Sequence, residues 1–258
     1  MSCFELEVYT EMKMESELQR NIEWVRSRIA NSCKKSGRHS TEVKLLLATK
    51  TVTADRILAA IGADCHLIAE NKIQEVKEKF QALRVLKHES HFIGHLQTNK
   101  IKELLKYNIT CLHSMDRLEL AEKLQQRLVL ENKYLDILIQ VNTSGEESKF
   151  GVAPDQAINL VKAVASFDRL RIKGLMTIGL FSADAAKIRP CFRLLRHLSK
   201  QIDGLNIPGV HMQELSMGMS GDLEIAIEEG ATIIRVGTAV FGKRQYPDSY
   251  YWNENKER

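Results

Sequence analysis

Short apolar runs alternate with longer amphipathic stretches along most of the chain. The runs fall at 45–49, 66–69, 91–94, 111–114, 136–141, 172–178, 214–217 and 233–237. Their length and near-continuous apolar character read as buried strands. Seven are followed by apolar positions at helical spacing, at 54–61, 73–83, 98–105, 117–130, 154–165, 185–202 and 222–229. The eighth is followed only by the short apolar turn 238–241. Lys50 and Gly237, at the ends of the first and last runs, lie seven units apart, which gives about 27 residues per unit. That is the length of one βα unit of a (β/α)8 barrel, and regular alternation implies a parallel sheet with helices outside it.

A further helix is expected ahead of the barrel. Leu18, Ile22, Val25 and Ile29 recur at helical spacing from about Ser16, and Lys34, Lys35 and Gly37 form a stop signal. The division read from the chain is a flexible N-terminal extension at 1–15, one barrel domain at 16–244, and a polar tail at 245–258. No linker rich in Pro, Gly or Ser splits the barrel.

The 258 residues are 44% hydrophobic and 27% charged, an ordinary globular balance. The net charge of +4 is small and its residues are scattered, which argues against nucleic acid or a membrane surface as partner. The five cysteines are odd in number and form no C-x-x-C pair, so a reducing compartment is favoured over a disulfide framework. The acidic start, with Glu5, Glu7, Glu11 and Glu15, has no apolar segment of a leader. A soluble, cytoplasmic protein is the expectation.

Barrel chemistry sits where the strands end and the βα loops begin. Lys50 ends the most apolar run. Alternation puts Leu46, Ala48 and Lys50 on one face. A lysine pointing into the mouth is partly desolvated and can become a Schiff-base amine. On this feature alone, a lysine reaching for solvent fits better. The small-residue loop 216–222 and the pair Gly237-Thr238 follow strands 7 and 8, where barrels often bind phosphate. Ser216, Gly237 and Thr238 are the expected donors, and ordinary turn and cap chemistry is the alternative. Arg235 shares a strand face with Ile233 and Gly237, so it is expected inside the barrel. Its partner there is either a ligand acceptor or a structural carboxylate. Lysine, phosphate cup and inward arginine together point to pyridoxal 5′-phosphate (PLP).

Other features are weaker. His91 and His95 need not share a face, so no metal site is expected from them. Cys111 and His113 can share a face, with core packing the simpler reading. The polar loop 142–149 is a lid or a solvated connection. Its Lys149 is the rival lysine.

Several strings carry a resemblance. They include Ala48-Thr49-Lys50-Thr51, the segments 69–75 and 91–100, His113-Ser114-Met115-Asp116, Lys149-Phe150-Gly151, and the segments 215–222 and 235–242. The region 45–244 resembles the PLP homeostasis protein family, which is similar to the N-terminal domain of alanine racemase. The resemblance implies a fold-type III PLP barrel, and the helical spacing from about Ser16 adds an extra N-terminal helix to it. The resemblance also implies Lys50 as Schiff-base lysine, Arg235 facing the pyridine nitrogen, and Ser216, Gly237 and Thr238 on the phosphate. Asn71 and Met217 would line the pocket. Ala69 departs from the glycine usual in the family and is expected to crowd the loop after strand 2.

The resemblance further implies control of PLP, and a carrier and regulator without robust catalysis is the expectation, with PLP-dependent apoenzymes as partners and a monomer or weak dimer as assembly. Only 245–258 follow the barrel, so a mouth open to solvent is expected. The alternative is a PLP-dependent amino-acid racemase using Lys50 as base, with Tyr246, Tyr250 or Tyr251 as weak candidates for a second base. A third reading is a PLP-independent barrel enzyme acting on a phosphorylated metabolite.

Overall fold

A computed structural model describes residues 3–182 and 184–242. Eight parallel strands close into a barrel in sequence order, β1 beside β2 and onward until β8 returns to β1. They are β1 (Lys44–Ala48), β2 (Leu67–Glu70), β3 (Glu89–Phe92), β4 (Ile109–Met115), β5 (Leu135–Gln140), β6 (Leu170–Met176), β7 (Val210–Ser216) and β8 (Ile233–Val236). Every expected strand overlaps one of these.

The helices follow the expected order. α1 (Cys3–Lys35) leads, then α2 (Ala54–Gly62), α3 (Ile73–Leu83), α4 (Ile101–Leu104), α5 (Leu118–Glu131), α6 (Ala157–Val164), α7 (Ala185–Gly204), α8 (Leu223–Glu228) and α9 (Thr238–Phe241). Three helices differ from expectation by more than a residue or two at an end, and the one expected at 154–165 divides into a 3₁₀ turn, Pro154–Gln156, and α6. α1 starts at Cys3 rather than near Ser16. The expected helix at 98–105 divides into a 3₁₀ turn, Thr98–Lys100, and α4. The expected tail at 245–258, with its tyrosines, lies outside the described residues.

Two apolar layers hold the barrel. Leu46, Ala69, Cys111, Leu138, Met176 and Ile233 fill its interior. A larger layer lies between the strands and the surrounding helices and includes Leu47, Ile57, Leu112, Leu124, Leu175 and Ile234. Leu46 and Leu47 fall in different layers because successive strand residues point to opposite faces. Ala69 is part of the interior filling, so its methyl group packs against the barrel core.

α1 buries the stripe Leu18, Ile22, Val25, Ile29 and Cys33 and lies along α2, α8 and α9, beside the seam where β8 meets β1. Its Arg28 forks onto Glu224 at 2.6 and 2.8 Å. Among the described residues, no helix is long and apolar enough to cross a membrane.

Candidate functional site at the barrel mouth

Lys50 is half-buried and stands two residues after β1. Leu46 on the same strand face lies inside the barrel, in register with Arg235 of β8. Alternation therefore carries the Lys50 position to the interior side of the mouth. Thr51 follows with φ +64°, a left-handed conformation that a β-branched residue rarely adopts. Its N–H donates to Glu75 Oε2 at 2.6 Å.

Arg235 is buried at 5% exposure. Its guanidinium donates to Ser216 Oγ at 2.8 Å and to the Thr177 carbonyl at 2.8 Å. Among the described residues it makes no ion pair, which sets aside the structural-carboxylate alternative. Burial pushes its pKa down to about 10, against the pull of Asp222, so it stays charged near neutrality. A buried guanidinium with no carboxylate on it retains donor capacity for a ligand acceptor.

Ser216 does not sit in the expected phosphate cup. Its hydroxyl is fully buried and is occupied by Arg235 on one side and His113 Nδ1, 3.0 Å away, on the other. His113 Nε2 in turn lies 2.8 Å from His91 Nδ1. The result is a hydrogen-bonded chain through the barrel interior, His91–His113–Ser216–Arg235. Burial lowers the pKa of both imidazoles, to about 4 for His91 and well below the usual range for His113. Both are therefore neutral near pH 7. Cys111 brings its sulfur within 4.8 Å of their ring nitrogens, and burial raises the pKa of its thiol, keeping it protonated.

The hydroxyl that converges with Thr238 is that of Ser220. Its Oγ lies 3.4 Å from Thr238 Oγ1 and 3.4 Å from the Ala239 N–H. With Gly237, these groups form a small cup at the start of α9. The loop 217–222 is held from three sides. Gly218 O accepts from Arg235 N at 3.0 Å, Asp222 Oδ1 accepts from Met219 N at 2.5 Å, and Arg28 donates to Ser220 O at 3.0 Å. Gly218 has φ +90°, and a Cβ there would stand 2.4 Å from Ala226 Cβ. Only glycine lets this loop press so closely on α8.

Asn71 follows β2 and keeps its side-chain amide oxygen buried and unpartnered. Gly94, after β3, permits its placement, since a Cβ on Gly94 would fall 1.9 Å from the Asn71 carbonyl oxygen. Met217 does not line the mouth. Its side chain is wholly buried in the strand–helix layer, one residue out of phase with Ser216. Lys149, the rival lysine, donates to the Gly179 carbonyl at 2.7 Å and pairs with Glu146.

The ends of β1, β2 and β8 thus carry Lys50, Asn71 and the pair Gly237-Thr238, with Ser220 beside Thr238 and Arg235 buried inside the barrel. Ser216 acts from behind Arg235. Nothing in the sequence set Ser220 above Ser216, since both belong to one small-residue run. The link between His91 and His113 is equally invisible in strand periodicity.

The family described as alanine racemase, N-terminal domain, matches residues 16–245. A pyridoxal phosphate homeostasis protein of Aquifex aeolicus is 41% identical over 222 residues, covering 86% of this chain and 96% of the relative. The chain belongs to the pyridoxal phosphate homeostasis protein family. Among solved structures, an unknown protein from Bifidobacterium adolescentis is similar at a TM-score of 0.85 and 39% identity, over 89% of this chain and 96% of that one. PipY of Synechococcus elongatus, solved with PLP bound, is similar at 0.76 and 28% identity, over 88% and 100%. The fold expected from the eight-unit alternation is therefore that of the family.

Proposed function

We propose that this member of the family binds PLP at the barrel mouth and serves intracellular PLP homeostasis, as a carrier and regulator rather than a robust catalyst. The observation that carries the reading is Arg235, a buried guanidinium held by a hydroxyl and a carbonyl with no carboxylate on it. The pyridine nitrogen of PLP is an acceptor that suits its remaining donors.

The other residues fit the same group. Ser220, Thr238 and the Ala239 N–H offer donors for the phosphate, and the buried, unpartnered Asn71 side-chain oxygen stands just after β2. Lys50 supplies the amine, with its backbone fixed by neighbours on both sides. When bound, PLP contributes an aldehyde and an electron-withdrawing ring. Arg235 opposes protonation of the ring nitrogen and so weakens the ring as an electron sink. This favours holding the cofactor over α-carbon chemistry. The names of the relatives support homeostasis over racemisation.

The barrel domain is taken as 16–244. The cell compartment is taken as the cytoplasm, in keeping with the free, buried cysteines 33, 65, 111 and 191. PLP-dependent apoenzymes are the proposed recipients, and a monomer or weak dimer the proposed assembly.

The test is the visible absorbance of purified protein incubated with PLP, before and after borohydride, followed by peptide mapping. A band that collapses on reduction, with the label on Lys50 and none on Lys50→Ala, is expected. A protein that stays colourless, or a label elsewhere, overturns the reading. Turnover of an amino-acid enantiomer by the loaded protein would revive the racemase.

A further inference from the structure

We propose that Glu75 and Lys79 of α3 form a clamp that fixes the backbone on both sides of Lys50 and so positions its amine for an aldehyde at the mouth. The inference rests on Lys50 being the PLP anchor.

Lys79 is buried at 8% exposure. Its ammonium donates to the Thr49 carbonyl at 3.0 Å, to Glu70 Oε1 at 2.8 Å and to Glu75 Oε2 at 2.7 Å. All three of its protons are thereby used. The same Glu75 oxygen accepts the Thr51 N–H at 2.6 Å. The Thr49 carbonyl and the Thr51 amide are the groups immediately before and after Lys50. One ion pair, a single helical turn apart on α3, therefore grips the chain on either side of the anchor. Glu70 completes the wall, accepting the Thr49 hydroxyl at 2.6 Å.

Two features ask for more than a generic attachment of α3 to the barrel. The φ of +64° at Thr51 is strained for a β-branched residue and persists only where surroundings impose it. The Glu75 bond is such an imposition, and it turns the chain sharply just after Lys50. In addition, a buried ammonium with two carboxylates is a costly way to join a helix to a sheet, where apolar packing would serve. Such a network is justified where direction matters. The condensation of Lys50 Nζ with an aldehyde forms a C=N bond and releases one water, and it requires the amine to approach along a narrow path.

The test compares wild type with Lys79→Met and Glu75→Gln, titrating each with PLP and, separately, with pyridoxamine 5′-phosphate. The second ligand has the same ring and phosphate but an amine in place of the aldehyde, so it forms no bond to Lys50. The expected result is PLP binding weakened by about tenfold or more, with an altered pH dependence of the visible band, while pyridoxamine 5′-phosphate binds as to wild type. Unchanged PLP binding in both variants overturns the clamp. Equal loss of both ligands also overturns it, because the network then supports the whole mouth. Should Lys79→Met fail to fold, the isosteric Glu75→Gln still decides. A wild type that takes no PLP on Lys50 overturns the proposed function and the clamp with it. A wild type that loads beside unaffected variants overturns the clamp alone.

Discussion

Acid should attack this barrel from the inside, through His91 and His113. The His91 pKa is lowered by burial from 6.5 to about 4, with Lys44 pushing the same way. A histidine whose pKa falls on folding binds fewer protons in the native state than in the unfolded one between those values. Its contribution to stability is therefore fully present above 6.5 and is lost as pH falls toward 4. Between pH 7.5 and pH 5, that shift amounts to about 2 kcal/mol for His91 alone. His113 acts in the same sense, because burial, His91 and Arg235 all lower its pKa. Glu70 acts in the opposite sense. Burial raises its pKa from 4.5 to about 7, so its contribution is present at low pH and is lost as pH rises through 7.

The perturbation that isolates the histidine effect is His91→Asn, followed by urea unfolding at half-unit steps from pH 7.5 to pH 4. Loss of packing would lower the variant at every pH. Loss of the titration changes the slope instead, by at most about 1.4 kcal/mol per pH unit. The expected outcome is a variant less stable at pH 7.5 whose deficit shrinks by about 2 kcal/mol on reaching pH 5. Unchanged m-values would confirm that the two curves can be compared. Parallel curves for variant and wild type would refute the argument, because His91 would then titrate alike in the folded and unfolded chains.

Two further outcomes follow from the geometry of the mouth. Gly94→Ala puts a methyl group into the Asn71 carbonyl. Differential scanning calorimetry should show a loss of about 1–3 kcal/mol or more, and the variant should hold PLP less tightly. Ser220→Ala and Thr238→Ala should each weaken retention of PLP during gel filtration by about tenfold for a lost charge-assisted hydrogen bond. In both cup variants the borohydride label should stay on Lys50, whereas a label that moves would show that the cup does not set the register of the cofactor.

Much of this protein was legible in its linear pattern. The eight strands, the order of the helices and the inward face of Leu46 and Arg235 follow from local periods of two and about 3.6 residues. The family strings singled out Lys50 and Asn71, which follow β1 and β2, and Arg235, which lies buried on β8. Local pattern fared worse where two residues of similar character stood close together. Ser216 and Ser220 share one small-residue loop. Yet strand parity turns Ser216 into the barrel, while Ser220 is set by Arg28 from α1 and Asp222 from the loop end. Met217 was displaced from the site by the same parity.

The sequence by itself determined the alternation of elements, because each strand and helix carries its burial pattern within a few residues. Tertiary structure decided which polar groups meet. The chain from His91 to Arg235 joins β3, β4, β7 and β8, and its members are up to 144 positions apart in sequence, the difference between 235 and 91. The clamp around Lys50 likewise joins the end of β1 to α3. No local period encodes such meetings. They arise when barrel closure fixes strand register and helix docking, and a shift of one residue would send each side chain to the opposite face.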